Sequence, residues 1–388
     1  MINAHAALLC SIALTGSFSS PLMGGDDAAG GVHCQIGSFT NTSDVYKVKF
    51  ADGYLFAVYY EGVRILDVAD PAHPVQVGEF LGMTQAWDIE VVGDYAFVLD
   101  FADGLVTLDI SDPTNPTQID AYDIINGAVY HAIASDGYTL AIAAGTDGTL
   151  FLDVSDPSSA FLANQYFRPG AYPIEVWMFN DLVFTESWSG GIGIYDAWDP
   201  YNPQLLLPGY TSLDDIVVAN NTLFGLPSFG YNDKIWISDI TDPSEPVLIS
   251  MTDSPWGTIS GTRIAYENNK LYYSIEGNAI YELDVTDPVL PEYVQNYPFD
   301  GYIRDMIVAD ELMFICGNEF GLAIVDLSDS CADCIVDLTD DGRSDIFDVF
   351  LFLDGFLASD PISDFTRDGY FDISDVFYFL ELFEAGCP

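Results

Sequence analysis

The sequence predicts an all-β seven-bladed β-propeller followed by a small all-α module. Three observations carry this. First, an apolar strand ending in Asp and followed by an Asp-Pro turn (Asp-Ser in the last copy) recurs at Asp67, Asp109, Asp153, Asp196, Asp239, Asp284 and Asp326. Second, successive copies lie 42, 44, 43, 43, 45 and 42 residues apart, a fixed period that marks a repeat architecture. Third, the pattern stops after Cys331, where two acidic, glycine-bearing loops each lead into an apolar run.

The chain begins with a short apolar run, Ala6 to Leu14, followed by small residues from Thr15 to Ser20. This reads as the core of a secretory signal, too short to span a bilayer, within a leader of residues 1–30. No other stretch is expected to form a transmembrane helix. Residues 34–330 form the repeat domain. The second repeat shows the unit: AWDIEVV, GDYAFVLDF, ADGLVTLDI and SDPTNPTQIDAYDI are three strands, then a Pro-bearing turn and a fourth strand. Four strands in about 43 residues is one propeller blade. Helical solenoids are excluded, because no repeat contains an amphipathic helical pattern.

The seventh repeat stops after its third strand. QIGSF (35–39) aligns with QVGEF (76–80), so the N-terminal strand is expected to complete the last blade and remove the open sheet edge. On the same alignment Cys34 and Cys331 fall in one turn-to-strand step, which predicts a Cys34–Cys331 disulfide across the seam. Cys316 sits in a predicted inner strand and reads as a small buried hydrophobe.

This repeat resembles the bacterial LVIVD repeat family, with GLAIVDL (321–327) and VRILDV (63–68) as its nearest copies. The resemblance spans roughly residues 35 to 330. It implies a propeller and no shared chemistry.

Residues 331–388 carry 14 acidic and 2 basic side chains. DLTDDGRSDIFD (337–348) and DFTRDGYFDISD (364–375) each place oxygen side chains at loop positions 1, 3, 5, 9 and 12 and Gly at 6. That is the EF-hand-like calcium pattern. The apolar runs 349–357 and 376–383 follow as helices able to pair. The duplicated loops, with Asp at position 12, resemble a dockerin module. The resemblance implies two calcium ions held by Asp337, Thr339, Asp341, Asp345 and Asp348, and by Asp364, Thr366, Asp368, Asp372 and Asp375. Arg343 and Tyr370 would contribute backbone carbonyls. It also implies a cohesin-like or other surface protein as partner. Thr at position 3 departs from the usual Asn or Asp. A Cys334–Cys387 bridge is expected to clamp the module ends. Disulfides and calcium together place the protein outside the cytoplasm, secreted or at the cell surface.

Function in a propeller is sought where the innermost strands begin. Aligning these strands on the second-strand pattern puts Lys47, Asp88, His131, Glu175, Asp215, Arg263 and Arg304 at one position, preceded by Tyr46, Trp87 and Tyr130 in the first three blades. All seven are ionisable. Such a ring either neutralises itself by salt bridges or forms a polar pocket for a small anion, a sugar or a peptide end. Arg263 and Arg304 would then clamp a carboxylate or phosphate.

The formal charge of −50, from 10 Lys+Arg against 60 Asp+Glu, excludes nucleic acid and anionic membranes as partners. No Ser-His-Asp order, zinc spacing or phosphate-binding Gly loop occurs. The sequence therefore reads as a non-catalytic binding or display propeller attached to an extracellular or cell-surface partner. The competing reading is a polysaccharide hydrolase or lyase that uses the ring and Glu175.

Overall fold

The structure, a computed structural model, describes residues 35–39, 44–122, 129–188, 190–227, 234–253, 263–275, 279–298, 302–317, 320–327, 336, 338–339, 346–358, 363 and 373–385. Cys34, Cys331, Cys334 and Cys387 lie outside them, as do the residues of the expected leader.

Among the described residues, seven four-stranded antiparallel sheets form. In the first blade the strands are Val45–Ala51, Tyr54–Tyr59, Gly62–Asp67 and Val75–Leu81, paired in that order. Each first strand packs on the first strand of the next blade, and the seventh packs on the first, so the blades close into a ring. Second and third strands are almost continuously apolar because both of their faces are covered by neighbouring blades. Outer strands such as Thr117–Tyr122 are exposed along most of their length.

The seam forms as the repeat alignment requires. Gln35–Phe39 pairs with Gly321–Asp326, with Gln35 opposite Val325 and Gly37 opposite Ile324. The first blade has the same pairing, Gln76 opposite Leu66 and Gly78 opposite Ile65, with the same bulge between them. Both glycines serve a second contact. A Cβ on Gly37 would collide with the Pro71 carbonyl, and one on Gly78 with the Pro113 carbonyl. The Asp-Pro turns of the first two blades thus seat on the bulge glycine of the preceding blade, and Pro71 on Gly37 makes that contact across the seam.

The repeated aspartates build the turns. Asp67, Asp109, Asp153, Asp196, Asp239 and Asp284 each accept a bond from the amide two residues on, at 2.8–3.0 Å. The second aspartate repeats the device: Asp70, Asp112, Asp156, Asp199, Asp242 and Asp287 cap the amide two residues later. Two successive Asx turns reverse the chain within a few residues.

Cys316 is a free, fully buried thiol in the second strand of the seventh blade, packed on Val45, Leu55 and Phe314. Burial pushes its titration well above the usual thiol range. In the C-terminal region the helices run Ile346–Ala358 and Ile373–Ala385, each starting three residues before the expected apolar run. Asp348 and Asp375 therefore stand in first turns, where the helix dipole favours a carboxylate. Phe352 and Phe379 stack in parallel with centroids 4.1 Å apart, so the two helices do pair.

Gly37→Ala should destabilise the propeller by about 1–3 kcal/mol, as expected for backbone overpacking, whereas Ser38→Ala on the exposed neighbouring position should be nearly neutral. Urea midpoints of the two variants check this; equal midpoints would remove the seam contact from the fold's energetics.

Candidate functional site

The bulge in each innermost strand sets the geometry of the channel mouth. In the first blade Val45 opposes Tyr59 and Lys47 opposes Val58, leaving Tyr46 as the extra residue. The same count holds for Asp88 opposite Leu99, Glu175 opposite Glu186, Asp215 opposite Leu226 and Asp305 opposite Cys316. Arg263 exchanges bonds with Ser274 at the corresponding place. In the third blade that place belongs to Ala132, opposite Ala143.

The structural ring is therefore Lys47, Asp88, Ala132, Glu175, Asp215, Arg263 and Asp305. His131 and Arg304, expected in the ring, each sit one residue earlier, with Tyr46 and Trp87. The expectation was aligned on a Tyr/Leu-x-aromatic spelling of the second strand, which the third blade lacks; the seventh carries it as Leu312-Met313-Phe314, and there the interval used in the first blade leads to Asp305. A better signal exists. Every ring residue lies seven positions before the first residue of its second strand: 47 before Tyr54, 88 before Tyr95, 305 before Leu312. Counting so would have found Asp305.

At a bulge, both the extra residue and its successor can face the channel. One cavity of about 110 Å³ is lined by Tyr46, Lys47, Trp87, Asp88, His131, Glu175, Arg263, Tyr302 and Arg304. Six of the seven expected ring residues thus meet there, the displaced His131 and Arg304 included. Asp215 stands in the ring but outside the lining.

Three of the ring's carboxylates are committed to structure. Asp88 Oδ1 accepts from Ile89 N at 2.8 Å and Oδ2 from Ile133 N of the next blade at 3.0 Å. Asp215 does the same with Ile216 and Ile264, at 2.9 and 3.1 Å, and also accepts from Trp177 Nε1 at 3.2 Å. Asp305 Oδ2 accepts from Val48 N across the closing seam at 3.1 Å. Each aspartate therefore ties its blade to the following one. Burial holds the Asp88 and Asp215 carboxyls above the usual range, opposed by Lys47 and Arg263 respectively.

The cations answer these acids. Burial alone would lower Lys47, but Asp305, Asp88 and Glu175 outweigh it and keep the ammonium charged. Lys47 Nζ lies 3.4 Å from Asp305 Oδ1, and Arg263 Nε lies 3.9 Å from the same oxygen. Arg263 also donates to the Arg304 carbonyl at 2.6 Å. The Arg304 guanidinium stacks 4.5 Å above Tyr46, which in turn stacks on Trp87. The ring does neutralise much of its own charge, yet cations, acids and aromatic faces still reach the cavity.

Glu175 is one methylene longer than the aspartates and, with Asp88, lines the cavity. Burial raises its carboxyl to about 7 against the pull of Lys47 and Arg263. Directly opposite, burial also raises Glu186 to about 7, against bonds from Ser212 and the Leu213 amide. Glu186 Oε2 is buried with no hydrogen-bond partner among the described residues.

Of the residues expected to hold calcium, Thr339, Asp348 and Asp375 are described. Asp348 and Asp375 are fully buried, and Thr339 N and Oγ1 both donate to Asp348 Oδ1, at 2.8 and 2.7 Å. Positions 3 and 12 of the first loop thus meet. Asp337, Asp341, Arg343, Asp345, Asp364, Thr366, Asp368, Tyr370 and Asp372 lie outside the described residues.

A raised carboxyl makes folding proton-linked. Native Glu175 and Glu186 keep protons that the unfolded chain releases above pH 4.5, so their contribution is full below that value and fades as pH rises through 7. Glu186→Gln should therefore gain stability relative to the parent between pH 5 and 8, by up to about 1.4 kcal/mol per pH unit. Unfolding midpoints at the two pH values measure this; a pH-independent difference would refute it.

Comparison with known proteins agrees with this architecture. Residues 44–81 and 84–124 match the profile of the LVIVD repeat. No curated protein matches the chain. The computationally designed Ika8 protein is 8% identical, with a TM-score of 0.55 over 76% of this chain and 99% of its own. The β-propeller domain of Cps50 (Swd1) from Myceliophteria thermophila is 13% identical, with a TM-score of 0.59 over 74% of this chain and 98% of its own. Such low identities speak to the fold alone. The chain carries LVIVD repeats, matched in its first two blades, on a seven-bladed β-propeller.

Proposed function

We propose that this is an exported, non-catalytic binding propeller that holds a small polar ligand at its channel mouth. The C-terminal module attaches it, through calcium, to an extracellular or cell-surface partner. The observation that carries the binding role is the cavity at the start of the inner strands, where charges of both signs and aromatic faces converge. Recognition sites combine such apolar faces with a few fixed polar groups. Among the described residues, no helix is long and apolar enough to cross a membrane.

The absence of catalysis is part of the proposal. Lys47, Asp88, Asp215, Arg263 and Asp305 are engaged with one another or with backbone amides, which suits a fixed binding frame. Glu175 supports the second reading, because a carboxyl near 7 suits acid–base work on a polysaccharide.

Calcium fits the chemistry of the terminal loops. Their side-chain donor set is all oxygen, and the buried carboxylates of Asp348 and Asp375 belong to segments rich in further acids, a composition that a divalent cation would compensate. A cohesin-like protein is the partner class that the duplicated loops imply.

Two experiments test these roles. Small sugars, amino acids and carboxylates, screened by tryptophan fluorescence and thermal shift, should include compounds that stabilise the parent but not Trp87→Ala; no stabilising compound, or turnover of a glycan lost in Glu175→Ala, overturns the non-catalytic binding role. Excess chelator should abolish helical signal from residues 331–388 and calcium should restore it; an unchanged signal refutes the calcium assignment.

A further inference from the structure

Planar side chains do not stop at the cavity. On the face where the inner strands begin, a file of them crosses the mouth from the seventh blade to the fourth. Arg304 lies over Tyr46 at 4.5 Å, and Tyr46 stacks on Trp87 at 5.8 Å. Trp87 and His131 both line the cavity. His131 meets Tyr172 edge-on at 5.5 Å, and Tyr172 stacks on Trp188 at 5.6 Å. Trp188 is 78% exposed and Trp87 43%. Tyr46, His131, Tyr172 and Arg304 are half-buried, and large aromatic side chains left open to solvent around a cavity mark a recognition surface.

We propose that this file is the binding track for a neutral glycan chain, with one sugar in the cavity and further sugars along the aromatic arm to Trp188. The inference rests on the binding role proposed above and names the ligand class. A pyranose ring presents a C–H face and a hydroxyl edge. The negative faces of Trp and Tyr suit the first. Between them, Lys47 and Arg263 donate, and Asp88 and Glu175 accept, at the cavity wall. No aliphatic side chain lines the cavity, whose walls are aromatic faces and charged groups, a pairing that matches a sugar's C–H face and hydroxyl edge more closely than an aliphatic peptide side chain. The net charge of −50 opposes approach of an acidic polysaccharide or nucleic acid. A neutral chain suffers neither cost.

The test uses the full chain and soluble neutral oligosaccharides of two to six sugars from glucan, mannan, xylan and galactan, followed by calorimetry. One series should bind, and its hexasaccharide should bind more tightly than its disaccharide. Trp188→Ala should weaken the hexasaccharide roughly tenfold, or about 1.4 kcal/mol, and leave the disaccharide unchanged. Trp87→Ala should weaken both, and Trp188→Phe should retain most of the affinity. The proposal fails if no neutral oligosaccharide binds, if affinity ignores chain length, or if peptides or uronate oligosaccharides bind in preference. Thermal stabilisation by amino acids or carboxylates without any glycan binding would overturn the glycan track while leaving the channel-mouth role standing.

Discussion

Closure of the ring depends on carboxylates that reach from one blade to the next. Asp88, Asp215 and Asp305 each accept the amide of the residue that follows the ring position in the next blade. Buried backbone donors that find no partner are expensive, so a short side chain delivering an acceptor there stabilises the interface in a directional way. Asp305 makes its bond across the seam between the last blade and the first. The same seam is shared by Gln35–Phe39 and by the seat of Pro71 on Gly37, so closure joins inner strand, outer strand and turn.

Those acids determine the rest of the channel mouth. Buried carboxylates require nearby cations, and this chain has only 10 Lys+Arg to supply them. Three stand at the mouth. Lys47 and Arg263 converge on Asp305, and Arg304 contributes its carbonyl to Arg263 and its guanidinium to Tyr46. Structure and recognition therefore share residues. Glu175, too long to repeat the aspartate arrangement, joins Asp88 in lining the cavity.

Much of the fold was legible because each feature repeats in sequence. Seven Asp-terminated strands gave the blade count, and QIGSF against QVGEF gave the closing strand. The site was less legible. The innermost strands share no residue type at the ring position, so nothing in their own spelling corrected the alignment when His131 and Arg304 were placed one position late and Asp305 was overlooked. The aromatic arm was also hidden: Tyr172 and Trp188 lie in different loops of the fourth blade and carry no common motif. The C-terminal helices were foreseen from their apolar runs, but they begin earlier, since a carboxylate at the end of a loop is a good first-turn residue.

By itself the sequence determined the period, the turns, the closing strand and the acidic field. These are local or repeated properties, set by strand alternation, Asx capping and charge count. Only the tertiary structure decided which residue of each bulge joins the ring, which carboxylates bind the next blade, and which rings line up across the mouth. The physical reason is that hydrogen-bond register and inter-blade packing couple residues some 40 or more positions apart, and no local pattern records that coupling.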